Sequence, residues 1–475
     1  MNIVDEIRRR AALQPERPAL IQFAADGSEA VTDYRALLES ADARAATLRK
    51  TGVRAGDRCG LIAPQGPDFV SAALGILATG ACLVPIPEGG GPVEADPAVT
   101  ETQLHHLWRE SEPAGITKPP VARAGGAGFD EAEFRALEPA YLRFTSGTTN
   151  ARKGVLLGHA SILERTRLAN AGLAITNEDR ILWTLPLAHH FVVSILLYLR
   201  YGATVLFPAS HLSRHVLEAG SRGGSTVLYA SPYHYTGLAK DRGELTLPAL
   251  RLAVSTADGL RADTARAFEA RFGCALTQAL GVIEVGLPVM NLASARTKPE
   301  ALGRPLPGYD VWLRDDSGEP LVDSSPERTG ELCIRGSGLL DAYLSPWSSA
   351  AQILEPDGFR TGDQGYFDGD GDLHLVGRRS NRISMAGMKF FAEEVEAVLL
   401  SHDGVSACRV RAEEHPHLGA IPVAEVVALD AETHKTLRRE LTELCRSALP
   451  SYKVPRKIAL VEALPETPTG KLRRW

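Results

Sequence analysis

Short apolar runs and amphipathic stretches alternate through the first 85 residues, an order that few folds accept. Val4 to Leu13, Tyr34 to Leu48 and Phe69 to Ala78 carry helical spacing, whereas Ala19 to Phe23, Arg58 to Ala63 and Ala81 to Ile86 read as strands. Strands alternating with helices predict βαβ units and a largely parallel sheet. The pattern resumes with a helix over His159 to Asn170, a strand over Val227 to Ala230 that ends in Ser231-Pro-Tyr-His-Tyr235, a strand–turn–helix over Leu250 to Arg271, and a strand over Ala275 to Leu280. From Gly330 the texture changes to short strands with Gly and Asp turns: Glu331 to Ile334, Tyr366 to Phe367 and Asp372 to Val376. Beyond Gly377 comes a further α/β piece, with a helix over Ala392 to Leu400, strands at Cys408 to Val410 and Val423 to Ala428, and a helix over Thr436 to Ala448. A chain of 475 residues exceeds one ordinary core. The expected class is α/β: a large N-terminal domain of βαβ-type sheets with a small β subdomain (1–376), then a small mobile α+β C-terminal domain (377–475).

Composition narrows the function classes. A formal charge of −6 gives no footprint for nucleic acid or a membrane surface. Met1 to Arg10 has no signal-peptide core, and the uncharged run Ile181 to Leu199 is interrupted by Pro186 and carries His189 and His190. That run reads as a buried strand, a turn and a core helix, and the expected compartment is the cytoplasm. The six cysteines show no ligand spacing and read as buried small hydrophobes. Asp368-Gly-Asp-Gly-Asp372 lacks the glycine and glutamate of a calcium loop, with Leu373 and Arg379 at those positions, and reads as a hairpin turn.

Between the apolar runs Ala140–Phe144 and Val155–Leu157 lies Thr145-Ser-Gly147-Thr-Thr149-Asn-Ala-Arg-Lys153-Gly154. Hydroxyls, a glycine and an ammonium suit a polyphosphate: the glycine admits backbone N–H groups, the hydroxyls donate, and the lysine neutralises charge. The Walker spacing is absent, and the same composition also describes a surface turn.

Six further stretches share one register with this loop: Leu185-Pro-Leu-Ala-His189, Leu280-Gly-Val-Ile-Glu284, Gly330 to Gly336, Gly358-Phe-Arg-Thr-Gly-Asp363, Gly377-Arg378 and Gly470 to Arg474. Together they resemble the acyl-adenylate-forming superfamily of acyl- and aryl-CoA synthetases, adenylation domains and luciferases, from about Arg17 to the last residues. The loop fits T-S-G-T-T-G-x-P-K-G except at Asn150 and Arg152, and Gly358 to Asp363 lacks one residue of its pattern.

The resemblance implies the site. Thr145, Ser146, Gly147, Thr148, Thr149 and Lys153 would hold the β- and γ-phosphates of ATP. Glu284 would bind Mg2+, with Thr149 as a second metal contact. Ala257, Gln278 and Leu280 would border the nucleotide. Asp363 would grip the ribose hydroxyls with Arg378 nearby, and Lys471 would meet the reacting carboxylate and α-phosphate. Ser255 to Leu260 corresponds to an S-G-G-A-P-L turn beside the adenine and departs from it at 256–259. Leu280 and Ile283 replace an aromatic and a threonine. Ser380 falls at the hinge, after which Ser384 to Lys389 would face the thiol, Gly387 admitting close backbone approach and Lys389 meeting a phosphate of the acceptor.

His189 would be catalytic or gate the acid pocket, with His190, Tyr233, Gly281 and Val285 in its wall. His190 to Ser194 contains no carboxylate to pair with an ammonium, so the expected substrate is a small aryl or alkyl carboxylic acid rather than an α-amino acid. The acceptor would be CoA or the phosphopantetheine of a separate carrier protein; a homodimer is left open. The alternatives are an adenylating enzyme that passes an unconventional acid or acyl group to a non-thiol nucleophile, and a non-catalytic nucleotide-binding relative.

Overall fold

The computed structural model describes residues 1–88, 99, 101–110, 116–117, 129–144, 153–354, 358–386, 388–429 and 434–465. These fall into two compact units, one of residues up to 144, 153–311 and 334–359, the other of 312–333 and residues from 360 onward.

The first unit contains two large sheets. In the nine-stranded sheet, Pro18–Phe23, Thr204–Phe207, Arg180–Trp183, Val227–Ala230, Leu252–Ser255 and Leu276–Val282 lie side by side in parallel. Antiparallel strands finish both edges: Glu29–Asp33 at one, Gly286–Met290 and Arg304–Pro305 at the other. One face is buried by helices Ser213–Gly223, Pro232–Lys240 and Ala262–Phe272. Leu182, Leu206, Leu228 and Leu276 of the strands meet Val216, Tyr235 and Phe268 of the helices. The second sheet has eight strands, in the order Ser348–Ser349, Ala342–Tyr343, Gly154–Gly158, Pro139–Phe144, Cys82–Pro85, Arg58–Ile62, His106–Arg109 and Ile116–Thr117.

The parallel run of the nine-stranded sheet follows the alternation in sequence, whereas the eight-stranded sheet is mixed, and several elements match to within a few residues. One does not: Ser231 to Tyr235, read as the end of a strand, opens the helix Pro232–Lys240, with Pro232 at the first helical position where its missing N–H costs nothing. The apolar stretch 181–199 divides into the strand Arg180–Trp183, a short helix Leu187–His190, a π-helical turn Phe191–Ile195 and the helix Leu196–Arg200. Among the described residues no helix is long and apolar enough to cross a membrane.

The second unit holds most of a four-stranded sheet (Tyr309–Arg314, Gly330–Gly336, Phe359–Phe367, Leu373–Arg378) and the sheet of the C-terminal piece. The hairpin turn at Asp368–Asp372 is closed by the Asp368 carboxylate, which accepts the N–H groups of Asp370 and Asp372 at 3.0 Å. In the C-terminal piece, helices Ala392–Leu400 and His434–Ala448 bury Val395, Leu399, Leu437 and Leu441 against Ile383, Val410, Val423 and Val426.

All six cysteines are free and buried. Burial pushes the Cys59 thiol up to about 12 and that of Cys445 to about 11.

His159, at the start of the helix His159–Leu173, is 5% exposed and accepts the Ile3 N–H at Nδ1. Its Nε2 has no hydrogen-bond partner among the described residues. Burial, helped by the N-terminal ammonium, pulls the imidazole down to about 4. An unfolded chain protonates this ring near 6.5, so between about pH 6.5 and 4 the unfolded state binds the extra proton. Stability from this residue is complete above that window and falls by up to ~3 kcal/mol as the pH drops through it. Denaturant midpoints measured from pH 7 to 4.5 should show this slope, and His159→Gln should flatten it.

Candidate active site

The loop from Thr145 to Lys153 is bracketed by an antiparallel ladder in which Arg143 faces Val155 and Phe144 faces Gly154. Thr145 to Arg152, including Gly147 and the departures Asn150 and Arg152, lie outside the described residues, as do Gly387 and Lys471 with its Gly470 to Arg474 motif. Lys153 is described. Its ammonium lies over the Tyr343 ring, 4.6 Å from the centroid.

Glu284 occupies the hairpin turn between Leu276–Val282 and Gly286–Met290, which pair antiparallel with Val282 opposite Gly286. The turn closes with the Val285 N–H donating to the Val282 carbonyl at 2.9 Å. The Glu284 carboxylate is half-buried and accepts the Tyr343 hydroxyl at 3.1 Å, while its carbonyl accepts the Leu340 N–H at 2.7 Å. Beneath it lies Arg165, fully buried, whose guanidinium donates to the carbonyls of Ile283 at 2.9 Å and Gly338 at 3.0 and 2.8 Å. Burial lowers this guanidinium to about 10, while Tyr309, Asp341 and Glu284 favour its charged form.

The turn after the strand Leu252–Ser255 and the segment 278–284 are laced together. Gln278, 3% exposed, accepts the Leu260 N–H at 3.0 Å and donates to the carbonyls of Pro299 and Ala301. Thr256 Oγ1 donates to the Ala279 carbonyl at 3.1 Å. Gln278 thus shapes the turn through its backbone. Ala257 to Gly259 and Gly281 are exposed, and Leu280 is half-buried. These groups lie at the carboxyl ends of parallel strands, where open α/β sheets receive ligands.

Ala257 has φ +81°, in the left-handed region that costs an L-residue roughly 1–2 kcal/mol. It stands where the resembled turn has glycine. Ala257→Gly relieves that strain but loosens the unfolded chain, and a net gain of about 0.5–1 kcal/mol in chemical denaturation is expected.

His189 and His190 are half-buried at the end of the short helix Leu187–His190. The Tyr141 hydroxyl and Arg143 guanidinium donate to the carbonyls of Ala188 and His189, which ties this helix to the strand entering the loop. The His190 ring packs edge-on to Trp183, with centroids 6.2 Å apart. Val285 is fully buried, whereas Tyr233 is 80% exposed on the helix Pro232–Lys240.

In the second unit Asp363 and Arg378 face each other across the ladder of Phe359–Phe367 and Leu373–Arg378, Arg378 Nε donating to Asp363 Oδ1 at 2.9 Å. Thr361 Oγ1 accepts the Asp363 N–H at 3.0 Å and donates to the Leu332 carbonyl at 3.0 Å, so the backbone of Asp363 is pinned by Thr361 while its buried carboxylate is met by Arg378. Ser380 lies in the single 3₁₀ turn that follows. Ser384 and Lys389 face each other in a hairpin of the strands Arg382–Met385 and Met388–Phe391. Lys389 and Arg382 both meet the Asp316 carboxylate, at 3.1 and 2.9 Å.

Sequence reading did not single out Tyr343 or Arg165. The signal for Arg165 is a charge in the apolar helical register of Ile162, Ala169 and Leu173. Tyr343 carries no local signal; the sheet pairing alone puts it opposite Val155.

Oxygen ligands at Glu284 suit a hard cation such as Mg2+. The turn of exposed residues 257–259 beside Gly281, where an added Cβ would meet only Thr256 Oγ1 at 3.5 Å, leaves backbone open to a flat ligand.

Residues 7–344 match the family described as AMP-binding enzyme, and residues 394–471 match the AMP-binding enzyme C-terminal domain. The chain is 27% identical to the sulfoacetate–CoA ligase of Cupriavidus necator, covering 98% of this chain and 95% of that protein. It is 28% identical to a feruloyl-CoA synthase of an Amycolatopsis species, covering 98% and 96%. Its fold is similar to that of the O-succinylbenzoate coenzyme A synthetase of Bacillus subtilis in complex with AMP, with a TM-score of 0.83 and 24% identity, covering 99% of this chain and 97% of that one.

Proposed function

This chain belongs to the AMP-binding enzyme family, and from that premise we propose that it is an AMP-forming acid–thiol ligase. It joins a carboxylic acid to the α-phosphate of ATP, releases pyrophosphate, and passes the acyl group to the thiol of CoA. Carrying this reading is the placement of the loop lysine and the hairpin glutamate against one tyrosine, Lys153 over its ring and Glu284 on its hydroxyl.

Displacement of pyrophosphate needs charge neutralised on the phosphoryl oxygens and the two reactants held in line. Lys153, with Thr145 to Thr149, takes the β- and γ-phosphates. Glu284, with Thr149, holds Mg2+, which supplies electrostatic neutralisation of the triphosphate when bound. Asp363, kept in place by Arg378, accepts the ribose hydroxyls. The turn at Ala257 and residue Leu280 border the base, with Gln278 shaping that turn. Lys471 contacts the carboxylate and α-phosphate. Residues 377–475 form the domain that reorients between half-reactions, so that Lys389 leaves Asp316 for a phosphate of the acceptor.

His189, His190 and Gly281 line the acid site, with Tyr233 at its rim; Val285, expected in this wall, is fully buried and does not face the acid. The stretch Ala188 to Tyr198 carries two histidines and no carboxylate, so an aryl or alkyl acid fits better than an α-amino acid. The named activities of the relatives favour free CoA over a carrier protein as acceptor, and we place the enzyme in the cytoplasm.

Pyrophosphate release measured over a panel of aryl, alkyl, sulfonated and α-amino acids tests the first half. Addition of CoA or a phosphopantetheinylated carrier, with mass detection of the thioester, tests the second. Release driven by α-amino acids alone would overturn the pocket reading, and adenylate formation with no thioester would overturn the acceptor.

A further inference from the structure

Tyr343 stands where two charged parts of the site meet. The two-residue strand Ala342–Tyr343 pairs with Gly154–Gly158, Tyr343 opposite Val155, and the Leu344 N–H donates to the Gly154 carbonyl at 2.7 Å. This fixes the ring two positions along the ladder from Lys153. One side of the residue serves a cation and the other an anion: Lys153 Nζ lies 4.6 Å from the ring centroid, and the hydroxyl donates to Glu284 Oε1 at 3.1 Å. The side chain is 6% exposed, so neither contact is diluted by free rotation in water.

The two contacts do different work. A phenol donating to one carboxylate oxygen fixes the carboxylate's rotamer and leaves the other oxygen's direction set, as outer partners of metal ligands do. An aromatic face holding an ammonium limits where a long lysine side chain rests. Resting on the adenylation reading above, we propose that Tyr343 is a positioning residue, its hydroxyl orienting Glu284 for a divalent cation and its ring seating Lys153 for the triphosphate. A packing role alone would need the ring and not the hydroxyl, and Tyr343→Phe separates the two.

The test uses the full chain as wild type, Tyr343→Phe and Tyr343→Leu. Mn2+ affinity, read by electron paramagnetic resonance in the presence of a non-hydrolysable ATP analogue, reports on Glu284 without turnover. Calorimetric binding of the same analogue in EDTA reports on Lys153 without metal. Tyr343→Phe is expected to weaken Mn2+ about tenfold while metal-free nucleotide binding stays within about twofold of wild type. Tyr343→Leu is expected to weaken Mn2+ similarly and metal-free binding by roughly fivefold. Wild-type Mn2+ affinity in Tyr343→Phe, or metal-free binding unchanged in a folded Tyr343→Leu, overturns the proposal. If Tyr343→Leu does not fold, the Phe variant alone decides the hydroxyl's role. Pyrophosphate release by the wild type is measured alongside: its absence with every acid defeats the adenylation reading, whereas the two binding arms read Tyr343 directly.

Discussion

Lys471→Ala is expected to slow pyrophosphate release by about 10²-fold or more, the scale of removing one preorganised charge from a transition state. Negative charge gathers between the attacking carboxylate and the α-phosphate as the bond to pyrophosphate loosens, and an ammonium held there stabilises the transition state more than either ground state. The loss should fall on kcat with little change in KM for ATP, because the triphosphate is assigned to other residues. A variant supplied with preformed acyl-AMP and CoA should still form thioester at a rate near wild type, if residues 377–475 reorient between the half-reactions as proposed. If pyrophosphate release is unchanged, the role given to Lys471 is wrong; if both steps fail together, the two-orientation assignment is wrong.

Arg165→Met should lower the free energy of unfolding by about 3–5 kcal/mol. The substitution keeps the buried stem but removes a guanidinium that satisfies the carbonyls of Ile283 and Gly338, and a buried acceptor left unpaired costs about 1–3 kcal/mol. Because Ile283 immediately precedes Glu284, the damage should also reach the hairpin turn. Urea midpoints should drop, and in the surviving folded fraction the affinity for divalent cation should fall. A midpoint within 1 kcal/mol of wild type would mean that water or a neighbouring donor replaces the guanidinium, and that Arg165 does not carry the turn.

Local periodicity made much of the fold legible. The strand Val227–Ala230 and the helix Ala392–Leu400 coincide with their apolar patterns because each buries a face that the pattern itself defines. The helix Pro232–Lys240 was hidden by its opening aromatics, which suit a strand by composition and a helix only once the packing of Tyr235 on Phe268 is known. Strand Gly286–Met290, which contains Gly286 and Pro288, was hidden for the opposite reason: it is an antiparallel strand near the sheet's edge, where such residues are tolerated.

For the candidate site, Lys153, Glu284, Asp363 and Arg378 were readable because each belongs to a motif contiguous in sequence. The partners of two of them were not. Tyr343 lies 59 positions from Glu284, and the hydrogen bond between them exists only through sheet pairing. Gln278 likewise belongs to the nucleotide motifs by register, yet its polar atoms meet backbone groups at 260, 299 and 301, which no local pattern encodes.

The burial of the six cysteines has a chemical consequence for a chain that generates a mixed anhydride. An acyl-AMP acylates any thiolate within reach, and an exposed cysteine near neutral pKa would compete with the acceptor and inactivate its own enzyme. Here every thiol is shut away from solvent, with Cys59 and Cys445 held protonated far above neutral pH. The protein's own cysteines are thereby protected against acylation, and the incoming acceptor is left as the accessible thiol.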